Sequence, residues 1–316
     1  RRMAQQYKIF FMNWEIWQGG RGDRDSFLRH KVAMPVRWRH QGVASSAAPD
    51  RMNHMNQRYL GATLFCFALT AMGQEKKPVA YPEVAPGTGG LSYFLIGNSL
   101  TWDTVPSKLD GDVQWHVDCG KSLPFIYENP QKPCVKTSTL WPEALKQQQY
   151  DWISLQVHYG SILQEDAAVI GALIELQPDA IVVIHSGWAR MASRDEEYRS
   201  TDVLGTMQHS PAYVEALMKL LRELYPERDF RQTHAQDILQ KVAEDVKAGK
   251  APFTSMEEVY RDKIHMNTVT GRYLMHQAMR RALGQPSVAK WSRELPREAR
   301  LYFDGVLDAV FGTEKR

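Results

Sequence analysis

A serine two residues beyond the glycine that closes an apolar run is a natural place for a nucleophile. In Phe94-Leu-Ile-Gly97-Asn98-Ser99-Leu-Thr101 that serine is Ser99, at a position where its hydroxyl and backbone N–H can both face a crevice. A serine hydroxyl is inert without a base. Asp262-Lys-Ile-His265-Met-Asn supplies one, since an imidazole takes a proton near neutral pH and a carboxylate three residues away can hold its tautomer. Two further segments can stabilise negative charge. Gly120, in Asp118-Cys-Gly-Lys-Ser122, lets backbone approach a substrate closely. Gln156, in Ser154-Leu-Gln-Val-His158, carries an amide able to donate to an oxyanion, a contribution worth about 10²–10³ in rate. Taken singly these are weak signals: a serine here also reads as a helix cap, and Asp-x-x-His as a solvated helix start. The chemistry these residue types could perform together is acyl transfer through a Ser-His-Asp relay.

Such residues must be brought to one place by the elements that carry them. Leu91 to Ile96, Val113 to Val117, Trp152 to Leu155 and Ala180 to Ile184 are short apolar runs of the kind a covered parallel strand shows. Helical periods follow over Ala167 to Leu176, Ala212 to Tyr225, Ala235 to Ala248, Thr270 to Leu283 and Pro296 to Phe311. Ser210-Pro211 gives the second of these an N-cap and a first-turn proline. Strands alternating with helices predict one open α/β domain with a parallel sheet, whose sites lie at the strands' carboxyl ends. All four chemical segments fall just after an apolar run or in the loop before a helix.

The order of these segments resembles that of the SGNH (GDSL-like) serine hydrolase superfamily. Gly-Asn-Ser99-Leu-Thr is similar to its first block, Gly120 to its second-block glycine, and Asp262-x-x-His265 to its fifth block. The resemblance runs from Leu91 to about Leu283. It implies a flavodoxin-like three-layer α/β sandwich with helices on both faces of a central parallel sheet. It implies Ser99, Asp262 and His265 as catalytic residues, and the amides of Ser99 and Gly120 as oxyanion donors. The family's third block has Gly-x-Asn-Asp; here a strand ends Trp152-Ile-Ser-Leu-Gln156, so the expectation is a divergent branch in which Gln156 takes the asparagine's part. Asn98, His185 and Trp188, the last two in Ile184-His-Ser-Gly-Trp188, are expected to line the substrate crevice. No cofactor and no metal are implied.

The charge balance excludes another class. The 316 residues carry a formal net charge of +3, but residues 1 to 58 hold 11 Lys/Arg and 4 Asp/Glu, and residues 74 to 316 hold 28 basic and 32 acidic residues. The slightly acidic body argues against a nucleic-acid partner. Residues 55–73 hold Arg58, the apolar run Leu60 to Leu69 and then Ala71-Met-Gly73, which is the order of a secretory signal peptide; a buried helix is the competing reading. The expected organisation is a leader over 1–54, that signal at 55–73, a Pro/Gly linker at 74–90 and a hydrolase domain at 91–316. It implies a secreted or periplasmic protein with no membrane insertion after cleavage. In an oxidising compartment Cys119 and Cys134 can form a disulfide, or be two unconnected core residues.

Seven histidines lie in the body, at 116, 158, 185, 209, 234, 265 and 276, and none falls in a zinc-binding spacing. Trp102, Trp115, Trp141, Trp152 and Trp188 lie near the candidate loops and can stack on sugar rings or simply fill the core. The favoured reading is an exported esterase acting on an acylated (acetylated) carbohydrate or another small ester. The alternative is a non-catalytic extracellular carbohydrate-binding protein that keeps the fold.

Overall fold

The computed structural model describes residues 81, 90–288 and 290–312, all within the unit Ala71–Arg316. The expected leader, the apolar segment 55–73 and most of the 74–90 linker lie outside the described residues. Five strands form one sheet: β1 (Ser92–Gly97), β2 (Asp112–Val117), β3 (Trp152–Gln156), β4 (Ile181–His185) and β5 (Phe230–Gln232). All four pairings are parallel, in the order β2-β1-β3-β4-β5. That is the flavodoxin-like order, and its direction reverses between β1 and β3, the switch point beyond whose carboxyl ends open sheets of this kind place their sites.

Nine helices accompany the sheet among the described residues: α1 (Ser99–Asp103), α2 (Leu123–Glu128), α3 (Trp141–Gln147), α4 (Leu163–Glu175), α5 (Arg194–Glu197), α6 (Pro211–Leu224), α7 (Ala235–Lys247), α8 (Gly271–Ala282) and α9 (Arg297–Phe311). No helix among the described residues is long and apolar enough to cross a membrane.

The unbroken apolar character of the strands has a direct cause, since both faces are covered. Phe94, Ile96, Ile153, Leu155, Val182 and Ile184 point into one core with residues of α2, α3, α4 and α6. Their neighbours Tyr93, Leu95, Trp152 and Val183 point the other way, onto Met279, Ala282 and Leu283 at the end of α8. A further core joins α7, α8 and α9 to Leu100, Trp188, Tyr260 and Met266, residues beside the candidate site. The result is the three-layer sandwich that the sequence implied.

The strongest helix signal is realised as expected: the Ser210 side chain accepts from the Tyr213 N–H at 3.1 Å, with Pro211 opening α6. β5 is not apparent in the sequence, because it has three residues and a charge in the middle. Arg231 is nonetheless buried there, its guanidinium packed over Trp152 at 4.7 Å and over Tyr81 at 5.1 Å and paired with Asp229 at 3.3 Å. The short α1 and α2 also escape a periodicity argument, being less than two turns long.

Gly97 marks the tightest point of the fold. A Cβ there would lie 2.2 Å from Thr101 Oγ1 and 2.6 Å from Gln156 Oε1. Gly97→Ala is expected to lower stability by about 1–3 kcal/mol, since neither neighbour can yield without breaking its hydrogen bonds. Urea denaturation monitored by tryptophan fluorescence reads this directly.

Candidate active site

The chain leaves β1 at Gly97 and turns at once into α1. Asn98 is its N-cap, accepting from the Leu100 N–H at 2.9 Å, so Ser99 becomes the first helical residue. The Ser99 N–H has no acceptor among the described residues, as first-turn amides do not. Asn98 Nδ2 donates to the Lys121 carbonyl at 3.0 Å, and the Asp118 N–H donates to the Gly97 carbonyl at 3.0 Å. These bonds bring the loop after β2, with Gly120 in the left-handed region at φ 69°, against the start of α1. Cys119 and Cys134 are joined, their Cα atoms 5.6 Å apart, which closes that loop.

His265 arrives from a distant part of the chain. Its Nε2 lies 3.0 Å from Ser99 Oγ, and its Nδ1 lies 2.9 Å from Asp262 Oδ2. A carboxylate only accepts, so Nδ1 carries the proton and Nε2 offers its lone pair to the Ser99 hydroxyl. Asp262 is further held by the N–H groups of His265 at 2.8 Å and Ile264 at 2.9 Å. Partial burial pushes this carboxyl up, but the two amides and the His265 imidazole outweigh it and bring it down to about 2.

The His265 loop is fixed by contacts that no local pattern announces. Asp103, one turn along α1 from Ser99, is fully buried. Its Oδ2 accepts from the Met266 N–H at 2.7 Å, and its Oδ1 accepts from Arg272 Nε at 2.9 Å and Arg261 Nη1 at 3.3 Å. The Ser99 helix and the His265 loop therefore share one buried carboxylate. The Trp188 indole N–H donates to the Ile264 carbonyl at 2.6 Å, and the Met191 N–H to the Lys263 carbonyl at 2.9 Å.

Ser99, Asp262, His265 and Gly120 thus come together, whereas four other expectations are corrected. Gln156 is 1% exposed and lies beneath the β1–α1 turn. Its Oε1 accepts from the N–H groups of Asn98 (3.0 Å) and Thr101 (2.9 Å) and from the Thr101 hydroxyl (2.7 Å), and its Nε2 donates to Asn98 Oδ1 (2.8 Å). It supports the turn from below and presents nothing to an oxyanion. Asn98 is equally buried and spends its carboxamide on Leu100, Lys121 and Gln156, so it does not line the crevice. Trp188 is fully buried in the core under the loop and forms no substrate wall. His185 is buried with its Nδ1 2.9 Å from Thr233 Oγ1, and burial holds its imidazole neutral, down to about 3.

Sequence reasoning missed Asp103 and also His158. His158 lies two residues beyond Gln156, in the same sequence segment, just past the end of β3. Of the five tryptophans near the loops, Trp141, Trp152 and Trp188 are core, while Trp102 and Trp115 meet edge-on at 5.8 Å and are only partly buried. Among the described residues, no group of three or more His, Cys, Asp or Glu side chains is placed to hold a metal.

No protein-family model and no curated protein matches the chain. Among solved structures it is similar to a DUF4886 family protein from Bacteroides uniformis, at 15% identity over 70% of this chain and 93% of that one, with a TM-score of 0.47. It is similar to a lipase/acylhydrolase from Enterococcus faecalis at 13% identity over 64% of this chain and 100% of that one, with a TM-score of 0.37. It is also similar to a family two carbohydrate esterase from Cellvibrio japonicus at 12% identity over 71% of this chain and 64% of that one, with a TM-score of 0.33.

Three outcomes follow from this geometry. Asp103→Ala strands two arginines and an amide, and is expected to cost about 3 kcal/mol in urea denaturation; the partial solvent contact of both arginines keeps the cost at the lower end for a broken buried pair. Cys119→Ser with Cys134→Ser opens a loop spanning 15 residues and should cost a further, separate amount of about 3 kcal/mol, which reductant reproduces in the parent protein. The carboxyl of Asp262 titrates below its ordinary value of 3.8, so its contribution to stability is complete above that pH and disappears as pH falls towards about 2. The stability difference between parent and Asp262→Asn should therefore shrink over that interval and stay constant above it.

Proposed function

We propose that the chain is a serine hydrolase of the SGNH (GDSL-like) type that cleaves carboxylic esters. One observation carries the reading: Ser99 Oγ, His265 and Asp262 form a continuous relay, with contacts of 3.0 Å and 2.9 Å, at the carboxyl edge of a parallel sheet. Ser99 Oγ attacks the ester carbonyl while His265 Nε2 takes its proton. The free amides of Ser99 and Gly120 are the donors available to the oxyanion, without any side chain from Gln156. As the tetrahedral species collapses, His265 returns the proton to the departing alkoxide and the acyl group stays on Ser99. Water then repeats the sequence, releasing the acid and restoring the serine. Asp262 remains ionised throughout and orients the imidazole.

The substrate class in this proposal is an acylated carbohydrate or similar small polar ester. Trp102, one turn along α1 from Ser99 and partly exposed, supports it by offering an indole beside the nucleophile. Export is part of the same proposal. It is supported by the signal-like composition of residues 55–73, and the Cys119–Cys134 disulfide suits an oxidising compartment.

Hydrolysis of p-nitrophenyl acetate by the full chain tests the reading. Ser99→Ala should abolish both turnover and labelling by a fluorophosphonate. His265→Ala should lower kcat/KM by about 10²–10⁴. Unchanged turnover in Ser99→Ala would remove the serine from the mechanism. A folded parent that neither turns over esters nor labels would favour a binding protein that keeps the fold. Because Asp262 is ionised down to about pH 2, its own protonation does not account for any fall in rate between pH 6 and 4.

A further inference from the structure

Beyond β3 the chain continues Val157-His158-Tyr159, and His158 enters a chain of buried imidazoles that the relay at Ser99 does not use. His209 Nδ1 lies 2.7 Å from the Ser186 carbonyl oxygen, which can only accept, so that nitrogen bears the proton. Burial pushes the His209 imidazole down to about 4, so it is neutral and its Nε2 is a bare acceptor. His158 Nδ1 lies 3.0 Å from that acceptor and must therefore donate. This leaves a lone pair on His158 Nε2. That nitrogen has no protein partner among the described residues and is not sealed from solvent, although the residue as a whole is only 7% exposed. Burial, with His209 and the Arg190 cation next, brings the His158 imidazole down to about 2, so it is an acceptor at any pH where the protein works.

The position of this lone pair matters. β1 and β3 are neighbours, with Ile96 opposite Leu155, so the residues that follow them leave the sheet side by side at its switch point. Gln156 bonds Asn98 and Thr101 across that gap, and His158 comes two residues later. On the other flank, a Cβ built on Gly187 would lie 2.7 Å from the His209 ring and 3.2 Å from Leu100, the residue after Ser99. The imidazole pair and the nucleophile helix therefore meet at one small glycine. His158 cannot act as an oxyanion donor in this tautomer. It repels an oxyanion and attracts a hydroxyl.

Resting on the hydrolase reading above, we propose that His158 is a specificity residue. Its Nε2 accepts a hydrogen bond from a free hydroxyl on the carbon next to the esterified one, so the site selects esters of vicinal diols, such as partly acylated sugars. An ester whose neighbouring oxygen is alkylated brings an acceptor up to an acceptor and leaves both lone pairs desolvated. His209 is the positioning residue that sets the tautomer.

The test compares 2-hydroxyethyl acetate with 2-methoxyethyl acetate, on the full chain and on His158→Phe. The parent is expected to favour the hydroxy ester in kcat/KM by about tenfold, with the ratio falling towards one in the variant. Equal kcat/KM for the two esters in the parent, or a preference that survives in His158→Phe, would overturn the proposal. If neither ester is turned over and a fluorophosphonate leaves Ser99 unlabelled, the hydrolase reading falls and takes this proposal with it. A second measurement needs no variant to fold. Long-range ¹H–¹⁵N correlation spectra of histidine-labelled parent protein should show His158 protonated on Nδ1 and bare on Nε2, and the opposite tautomer would refute the assignment.

Discussion

The carboxylate of Asp103 is the interaction on which the site depends. It is buried on α1, yet it binds the backbone of Met266, next to His265, and the side chains of Arg261 and Arg272. Ser99 and His265 lie 166 positions apart in the chain, and a contact of 3.0 Å between them leaves little tolerance. An apolar contact at the same place would permit sliding, because dispersion is non-directional. A carboxylate bound on both oxygens by fixed donors sets distance and direction together. The isolated charge would be prohibitive to bury; two guanidinium groups and an amide make it tolerable and turn a cost in stability into a geometric constraint.

Gln156 does for the strand side what Asp103 does for the loop side. A turn from a strand into a helix has amides that neither element satisfies, and at the sheet edge they are sealed from water. One carboxamide oxygen takes two of these amides and the Thr101 hydroxyl, and its nitrogen fixes the cap of α1. Gly97 is required because this side chain fills the space a Cβ would need. A residue placed to look like an oxyanion donor is thus a structural support. The polar group that does reach solvent at the end of β3 is His158, with its polarity set by His209 and Ser186.

The sequence alone determined the elements and the order of the chemical segments. Strands covered on both faces must be apolar throughout, and such runs at Leu91, Trp152 and Ala180 are legible without coordinates. Ser210-Pro211 declared a helix start for the same local reason. Ser99, Gly120 and the Asp262–His265 pair were weak signals singly and stood out only together, because their order resembles that of a known hydrolase superfamily. The three-residue β5 and the five-residue α1 were invisible, since they are shorter than any period that would reveal them.

Tertiary structure alone decided which polar side chain meets which. Asn98, Gln156, His185 and Trp188 all lie at or just beyond strand ends, so sequence position placed them at the crevice, but each is buried in partners from other elements. Asp103 gave no signal, because an aspartate in a short helix is unremarkable until Arg261, Arg272 and Met266 close over it. The acceptor polarity of His158 depends on a carbonyl at Ser186 and a ring at His209, 28 and 51 positions away. The physical reason is general to the fold. Hydrophobic periodicity and capping act between neighbours in sequence, whereas a buried hydrogen bond is specified by both of its partners at once.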